Sequence, residues 1–233
     1  MDVFFDKVVT LDPEPPVPGP RGPDRLSANV AVTLGAAGYA ILPRASRVVP
    51  LPYSAELPIV GLPSLDRALT GEEYVLSSVA ATGPDLQRPA SAISRIRTTN
   101  ASTPVTVGGF LGVPVLGVPG AGTWAGDAAK RSMPVSFSGA AGPVDLTVVE
   151  VASGNGLVTW RIIAPGGKTT FDVPDLRYVS PTPEKDVGLV AGAIQTTVRV
   201  ARIDDFEYGR LRYGQLSTSA WNAYAFDALG GVY

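Results

Sequence analysis

Acidic side chains are the groups with which this chain could do chemistry, because histidine and cysteine are both absent. Their absence excludes a Ser-His-Asp triad, thiolate catalysis, and metal sites built from imidazole or thiolate ligands. Two carboxylates would still suffice for a glycosidase or a lyase. The candidate groups are Glu72 and Glu73, then Asp145 and Glu150, and finally Asp204, Asp205 and Glu207. No spacing places a pair in a cleft, so the sequence favours surface acids and a protein that is not an enzyme, with a carboxylate-dependent glycosidase or lyase as the alternative.

Asp204, Asp205 and Glu207 could instead offer oxygen ligands to Ca²⁺, which binds readily on the loops of β-proteins. The spacing of an EF-hand loop is missing. An Asp-Asp turn that closes a hairpin, with a second strand over 206–213, accounts for the same residues without a metal. We therefore predict no metal at this position.

Two glycine-rich stretches resemble nucleotide-binding motifs. GGKT at 166–169 would need a glycine where Ile162 stands, and a strand follows it instead of a helix. GAGTWA at 120–125 lies behind Pro114 and Pro119, which are incompatible with the strand that a dinucleotide fingerprint requires. We predict turns or loops at both places and no cofactor.

Trp124 lies with Gly122 and Thr123 in an uncharged, glycine-rich stretch. An aromatic ring presented by such a loop can be the stacking platform of a sugar-binding site, or it can anchor the loop on the core. Both interpretations remain open at this point. This is the one place where the sequence suggests ligand-binding residues.

Arginines and tyrosines interleave near the C-terminus, at Arg199, Tyr208, Arg210, Arg212 and Tyr213. Such a pattern could bind single-stranded nucleic acid. The net charge of −2 and a pI near 5.2 argue against that partner, and an exposed hairpin face explains the residues equally well. We predict no nucleic-acid partner.

The clearest secondary structure lies in 144–176, VDLTVVEVASGNGLVTWRIIAPGGKTTFDVPDL. Trp160 and Ile162 alternate with Thr159 and Arg161, and Phe171 alternates with its neighbours, which indicates half-buried strands. SGNG and PGGK separate the three strands with turn residues. The stretch predicts a β-meander with Trp160 in the core.

The chain as a whole predicts about ten short strands in a β-sandwich or two packed antiparallel sheets, so the fold class is all-β. Two helices are expected. A short one lies near 64–71, where SLDRALTG has a capping residue and a terminal glycine. A C-terminal one lies near 217–229, where Trp221, Tyr224, Ala225 and Ala228 have helical spacing.

The domain prediction is a strand and a proline-rich arm over 1–26, followed by a single β-rich domain over 27–233, with a sub-domain break near 134–143 as the alternative. The arm contains Pro13, Pro15, Pro16, Pro18 and Pro20. It could be a semi-rigid spacer or could reach a neighbouring molecule for self-assembly. No signal peptide is expected from the acidic N-terminus, and prolines exclude a membrane helix in the uncharged stretch 98–126.

The phrases ANVAVTLGAAGYAILPR, GFLGVPVL, VTWRIIAPGGKTTFDVPDL and FEYGRLRYGQL occur in that order. In this the chain resembles the glycine- and proline-rich, cysteine-poor β-domains of secreted proteins and lipoproteins of predatory soil bacteria, some of which are described as carboxypeptidase-regulatory-like. The resemblance implies an extracellular or cell-envelope address, with any leader removed. It also implies a structural or binding role, and it assigns no functional residue.

The preferred functional interpretation is therefore a non-catalytic extracytoplasmic domain that binds a protein or glycan or builds a surface assembly. The low charged fraction of 17% and the many short strands favour it. A virion or appendage subunit is a further alternative, in which the proline-rich arm would reach the neighbour.

Overall fold

The computed structural model describes residues 5–14, 22–83, 91–116, 132–138, 143–153, 159–172, 193–217 and 221–232. These residues form fourteen strands and only single turns of 3-10 helix, so the all-β prediction is confirmed. The strands are β1 Lys7–Pro13, β2 Arg25–Thr33, β3 Tyr39–Pro50, β4 Leu57–Leu62, β5 Tyr74–Ala81, β6 Ser91–Thr98, β7 Val105–Val107, β8 Val113–Leu116, β9 Ser132–Ser138, β10 Leu146–Ser153, β11 Thr159–Pro165, β12 Thr170–Asp172, β13 Ala193–Arg202 and β14 Ala223–Val232.

The chain divides into two compact units, Met1–Phe110 and Leu111–Tyr233. The single β-rich domain over 27–233, with a sub-domain break near 134–143 as the alternative, stays a prediction. Strand β1, which the sequence predicted as a strand ahead of the proline-rich arm, belongs to the first unit: Val9 and Leu11 are fully buried in its core. Pro13 is also buried, at the end of that strand.

The first unit is a sandwich of two sheets. The larger one contains the consecutive antiparallel strands β6-β5-β2-β3, and the smaller one has the order β4-β1-β7. Within the smaller sheet β1 is antiparallel to β4 and parallel to β7. Both sheets contribute to one core, in which Leu76 of β5 and Ile59 of β4 are fully buried. Along β5, fully buried and partly buried residues alternate, as a strand with one side on the core requires.

The second unit repeats this plan: its larger sheet contains the consecutive strands β11-β10-β13-β14, and its smaller sheet has the order β12-β9-β8. All neighbours in these two sheets are antiparallel. Val149 and Val198 from the larger sheet share a core with Phe171 and Val135 from the smaller one. Trp160 packs against this core, as the sequence predicted.

The predicted C-terminal helix near 217–229 is wrong, because Ala223–Val232 is strand β14. Ala223 and Ala225 are fully buried and Tyr224 is only partly buried, which is alternation of period two. The backbone of β14 is paired with β13 along the whole strand. This pairing gives the backbone N–H and C=O groups their hydrogen-bond partners, and the strand buries Ala223 and Ala225. Together these two effects outweigh the helical propensity of the segment.

The helix expected near 64–71 shrinks to one 3-10 turn, Arg67–Leu69, and Asp66 makes no side-chain cap. β4 ends at Leu62 and β5 begins at Tyr74, so the connection is too short for a stable helix. Tyr74 also donates a hydrogen bond from its hydroxyl to the Pro63 carbonyl over 2.6 Å, which fixes the chain at the start of this connection.

The strand predicted over 206–213 is also wrong: the segment forms the 3-10 turns Tyr208–Arg210 and Tyr213–Leu216. It lies on the face of the larger sheet that points away from the core of the second unit. There Phe206, Leu211 and Leu216 pack around the buried Leu146 and Trp221. Trp221 donates from Nε1 to the Gln215 carbonyl over 2.7 Å, which fixes the loop.

The predicted meander over 144–176 is correct only for its first two strands. β10 and β11 form the expected antiparallel pair, but β12 pairs with β9 in the other sheet. The cross-over follows the PGGK turn, where Gly167 has a φ of +79°. Gly166 donates its N–H to the Asp145 carbonyl over 2.9 Å, and a Cβ on Gly166 would lie 1.6 Å from the Val144 carbonyl oxygen. The turn therefore needs glycine at position 166.

Among the residues that the structure describes, no helix reaches the length and apolarity that a membrane crossing requires.

Candidate functional site on the outer face of the first unit

Strand β3 exposes a row of apolar side chains. Tyr39, Ile41 and Val48 are 55%, 80% and 61% exposed. Among the described strands, β3 is the last of its sheet and pairs only with β2, so its outward side chains are not needed for the core. Single exposed apolar residues are ordinary on protein surfaces, whereas several on one side of one strand indicate a contact surface.

The row borders what we call the outer face: the side of the sheet β6-β5-β2-β3 that points away from β4-β1-β7. Its floor is made of small or β-branched side chains on the two central strands, which are partly or fully buried: Ser27, Asn29 and Ala31 from β2 and Val75, Ser77 and Val79 from β5. Cross-strand pairing places Ile41 beside Ala31, Ala31 beside Val75, and Val75 beside Arg97. Three strand spacings, about 14 Å, therefore separate the aliphatic border on β3 from the arginine border on β6.

One end of the outer face is closed by a polar contact across the sheet. Arg97 donates from a terminal guanidinium nitrogen to the Tyr39 hydroxyl over 3.0 Å. The same side chain lies 3.8 Å from a carboxylate oxygen of Glu73. Because the Arg97 and Glu73 side chains are 59% and 39% exposed, this ion pair is weak.

The turn that leads into β3 is fixed by Glu72. Its Oε2 accepts from the Thr33 hydroxyl over 2.5 Å and from the Gly35 N–H over 3.0 Å. The Thr33 hydroxyl in turn accepts from the Glu73 N–H over 2.7 Å. Glu72, which the sequence offered as a candidate catalytic acid, thus positions the start of the exposed row.

Glu150 has a comparable structural role in the second unit. Its carboxylate accepts from Arg161 Nε over 2.6 Å and from a terminal nitrogen of Arg199 over 2.5 Å. Burial raises the pKa of Glu150, but hydrogen bonds and charge from the two arginines outweigh it, so the pKa lies below its ordinary value of 4.5. Asp145, the other member of this candidate pair, accepts at Oδ2 from the Ile203 N–H over 3.0 Å.

Asp204 and Asp205 lie in an exposed turn just after β13, and Asp205 has a φ of +52°. Glu207 pairs with Arg210 over 3.2 Å, one turn further along the chain. In the portion of the chain that is described, no three acidic side chains are grouped as metal ligands would be.

The two tyrosines of the predicted arginine and tyrosine pattern, Tyr208 and Tyr213, have different environments. Tyr208 donates from its hydroxyl to the Ile163 carbonyl over 2.9 Å, and Tyr213 is 85% exposed.

The binding residues suggested by the sequence, Gly122, Thr123 and Trp124, lie outside the described residues. So do Pro15, Pro16, Pro18 and Pro20 of the predicted assembly arm, while Pro13 is part of β1.

The sequence analysis missed Tyr39, Ile41 and Val48. A signal was present, since β3 has apolar residues on both sides: Leu42 and Val49 pack on the core while Ile41 and Val48 point outward. A half-buried strand normally alternates apolar with polar residues. Apolar residues on both sides of a strand at the end of a sheet therefore indicate either a second buried side or a binding surface.

No protein-family model matches the chain, and no curated protein is similar to it. Among solved structures, a segment of two fibronectin type-III domains from chicken tenascin is similar over 100% of this chain and 94% of that chain. Its sequence identity is 15% and its TM-score 0.29. Values this low establish neither a family nor a function for the present chain.

Proposed function

We propose that this protein is a non-catalytic binding module, and that the outer face of the first unit is the surface on which a polypeptide partner docks. The observation that carries the proposal is the exposed row of Tyr39, Ile41 and Val48 on β3. Apolar side chains that are exposed together lose unfavourable contact with water when a partner covers them.

The chemistry of the row favours a protein partner over a glycan. Ile41 and Val48 are aliphatic, whereas sugar sites usually offer an aromatic ring to the sugar face. The one ring of the row, Tyr39, is held at its hydroxyl by Arg97. The floor of short side chains is flat enough for another polypeptide to approach closely.

The setting that we propose is extracellular or in the cell envelope, in a secreted or surface-assembled protein. A surface with few charges, many glycines and prolines, and no cysteine supports this setting, as does the resemblance to β-domains of secreted bacterial proteins. Three of the candidate catalytic acids have structural roles, which supports a non-catalytic function. Glu72, Asp145 and Glu150 all accept hydrogen bonds that hold the fold.

The test is selection from a random peptide display library on immobilised wild-type protein, followed by binding measurements on Ile41→Lys. We expect a set of peptides whose affinity falls about tenfold or more on Ile41→Lys, as for a residue at the centre of an interface. Thermal unfolding of Ile41→Lys should match the wild type within about 0.5 kcal/mol, because substitutions of exposed side chains rarely change stability further.

Val60→Lys is the matched control. Val60 is also an exposed aliphatic residue of the first unit, at 40%, but it lies on β4 in the smaller sheet. Peptides of the expected set should bind Val60→Lys and the wild type equally. If every selected peptide binds Ile41→Lys as tightly as the wild type, the outer face is not a docking surface.

A further inference from the structure

We propose that the segment docked on the outer face is acidic: a polypeptide segment that places aliphatic side chains against β3 and Asp or Glu side chains against β6. This inference rests on the proposed function and adds the chemistry of the partner. It follows from the two unlike borders of the outer face.

The β6 border is cationic. Arg95 and Arg97 are two residues apart on one strand, so both point to the outer face, and both are exposed. Pairing places Arg95 beside Ser77 and Arg97 beside Val75. Two arginines therefore start from the strand beside a floor whose own side chains carry no charge, and the side chain of Arg97 crosses that floor to the Tyr39 hydroxyl.

Carboxylates of the protein neutralise this border only in part. Glu73 is the acidic neighbour of Arg97, at 3.8 Å and with both side chains largely in water. The third arginine on this side, Arg25, is held by Asp24 over 3.1 Å at the far end of β2. Arg95 thus remains the cation best placed for a partner. The chain as a whole has a net charge of −2, so a cationic border is a local arrangement and not the average property of the surface.

The β3 border is aliphatic and faces the cationic border across about 14 Å, the width of three strand spacings. A segment lying between them meets Ile41 and Val48 on one side and the strand that carries Arg95 on the other, while Arg97 reaches Tyr39 at one end of the face. Guanidinium groups bind carboxylates with paired hydrogen bonds, which gives both strength and orientation. A basic or neutral segment would leave Arg95 without a carboxylate partner as water is removed from the face.

The experiment uses peptides selected on the wild-type protein and sensitive to Ile41→Lys. For each peptide we would measure the Kd for wild type and for Arg95→Glu. The same two measurements would be made with a synthetic version of the peptide in which every Asp and Glu is replaced by Lys. We expect the acidic peptides to bind Arg95→Glu about tenfold more weakly, and the lysine versions to prefer Arg95→Glu over wild type. Added NaCl should weaken binding of the acidic peptides to the wild type.

Lys7→Glu is the control for the change of net charge, because Lys7 is exposed on β1 in the smaller sheet. It should leave every Kd unchanged. Selected peptides that are sensitive to Ile41→Lys but are neutral or basic, or that bind Arg95→Glu as tightly as wild type, would overturn the acidic segment and leave the docking surface standing. A complete lack of peptides sensitive to Ile41→Lys would overturn both.

Discussion

Glu150 shows how a single carboxylate can join three strands. It lies on β10, and its two arginine partners lie on β11 and β13 on either side. Its side chain is 18% exposed, against 50% for Arg161 and 35% for Arg199, so the carboxylate is the least hydrated member of the group. Hydrogen bonds between charged groups in such a setting are stronger than those of exposed ion pairs.

Replacing Glu150 by Gln should destabilise the second unit by about 1–2 kcal/mol at neutral pH, because two arginines lose their anionic partner. All three tryptophans, Trp124, Trp160 and Trp221, belong to this unit, so urea unfolding followed by tryptophan fluorescence reports on it directly. The folded-state pKa of Glu150 is lowered. Its stabilising effect is therefore complete above the ordinary value of 4.5 and disappears as pH falls through the folded pKa.

The difference between wild type and Glu150→Gln should accordingly shrink as the pH is lowered below that value. Glu207→Gln is the control, because its pair with Arg210 is largely exposed and should contribute nothing measurable. An equal loss from both variants, or a difference that is constant down to acidic pH, would contradict the role of Glu150.

At the scale of elements, alternation of apolar and polar residues in the sequence predicted the strands that have one buried side and one polar side. β11 is the clearest case, with Trp160 toward the core and Arg161 outward. β14 was predicted as a helix because Trp221, Tyr224, Ala225 and Ala228 have helical spacing. In the strand, Ala225 and Ala228 lie on opposite sides. The choice between helix and strand depends on backbone pairing with β13, which lies twenty to forty residues away and leaves no local signal.

The candidate site was less predictable than the fold. Its floor and borders come from four strands, and the pairing of Ile41 with Ala31 and of Arg97 with Val75 is set by register. Register depends on turns and on an irregularity between Asn29 and Ala31, and the sequence of one strand does not specify these. The acids, by contrast, were recognised as candidates but not as hydrogen-bond partners that hold the fold.

The turn between β11 and β12 offers a sharp test at this scale. Gly166→Ala should destabilise the second unit by about 2 kcal/mol or more, because the added methyl group would collide with the Val144 carbonyl, which is backbone and cannot turn away. Tryptophan fluorescence during urea unfolding again measures the effect. Gly214→Ala is the matched control, since its Cβ would meet nothing within 4 Å. Equal stability of Gly166→Ala and Gly214→Ala would show that the tight approach is not a constraint on the fold.

At the scale of the molecule, two sandwich units of similar plan are built without histidine or cysteine. Stability therefore depends on apolar cores, backbone ladders and a few carboxylate hydrogen bonds. The pKa of Asp24 is lowered, first by its hydrogen bond with Arg25 and then by the Gly83 N–H, so Asp24 behaves like Glu150 as pH falls.

We expect the midpoint of thermal unfolding to change by no more than about 2 °C between pH 6 and 8, because no side chain in the sequence has an ordinary pKa in that range. Below pH 5 the midpoint should fall, because carboxylates whose pKa is lowered by folding, such as Glu150 and Asp24, bind protons more readily in the unfolded chain. Differential scanning calorimetry across this range checks both parts. A step in the midpoint between pH 6 and 8 would require a strongly perturbed group and would contradict the expectation.

The position of β1 in the middle of the order β4-β1-β7 has a consequence for biosynthesis. This strand leaves the ribosome well before its parallel neighbour, which is formed by Val105–Val107. At translation rates of roughly 5 to 20 residues per second, several seconds pass before Leu11 can meet Val105. During that interval the nascent chain carries an apolar strand whose backbone lacks its parallel partner. We expect a ribosome-associated chaperone to bind this strand.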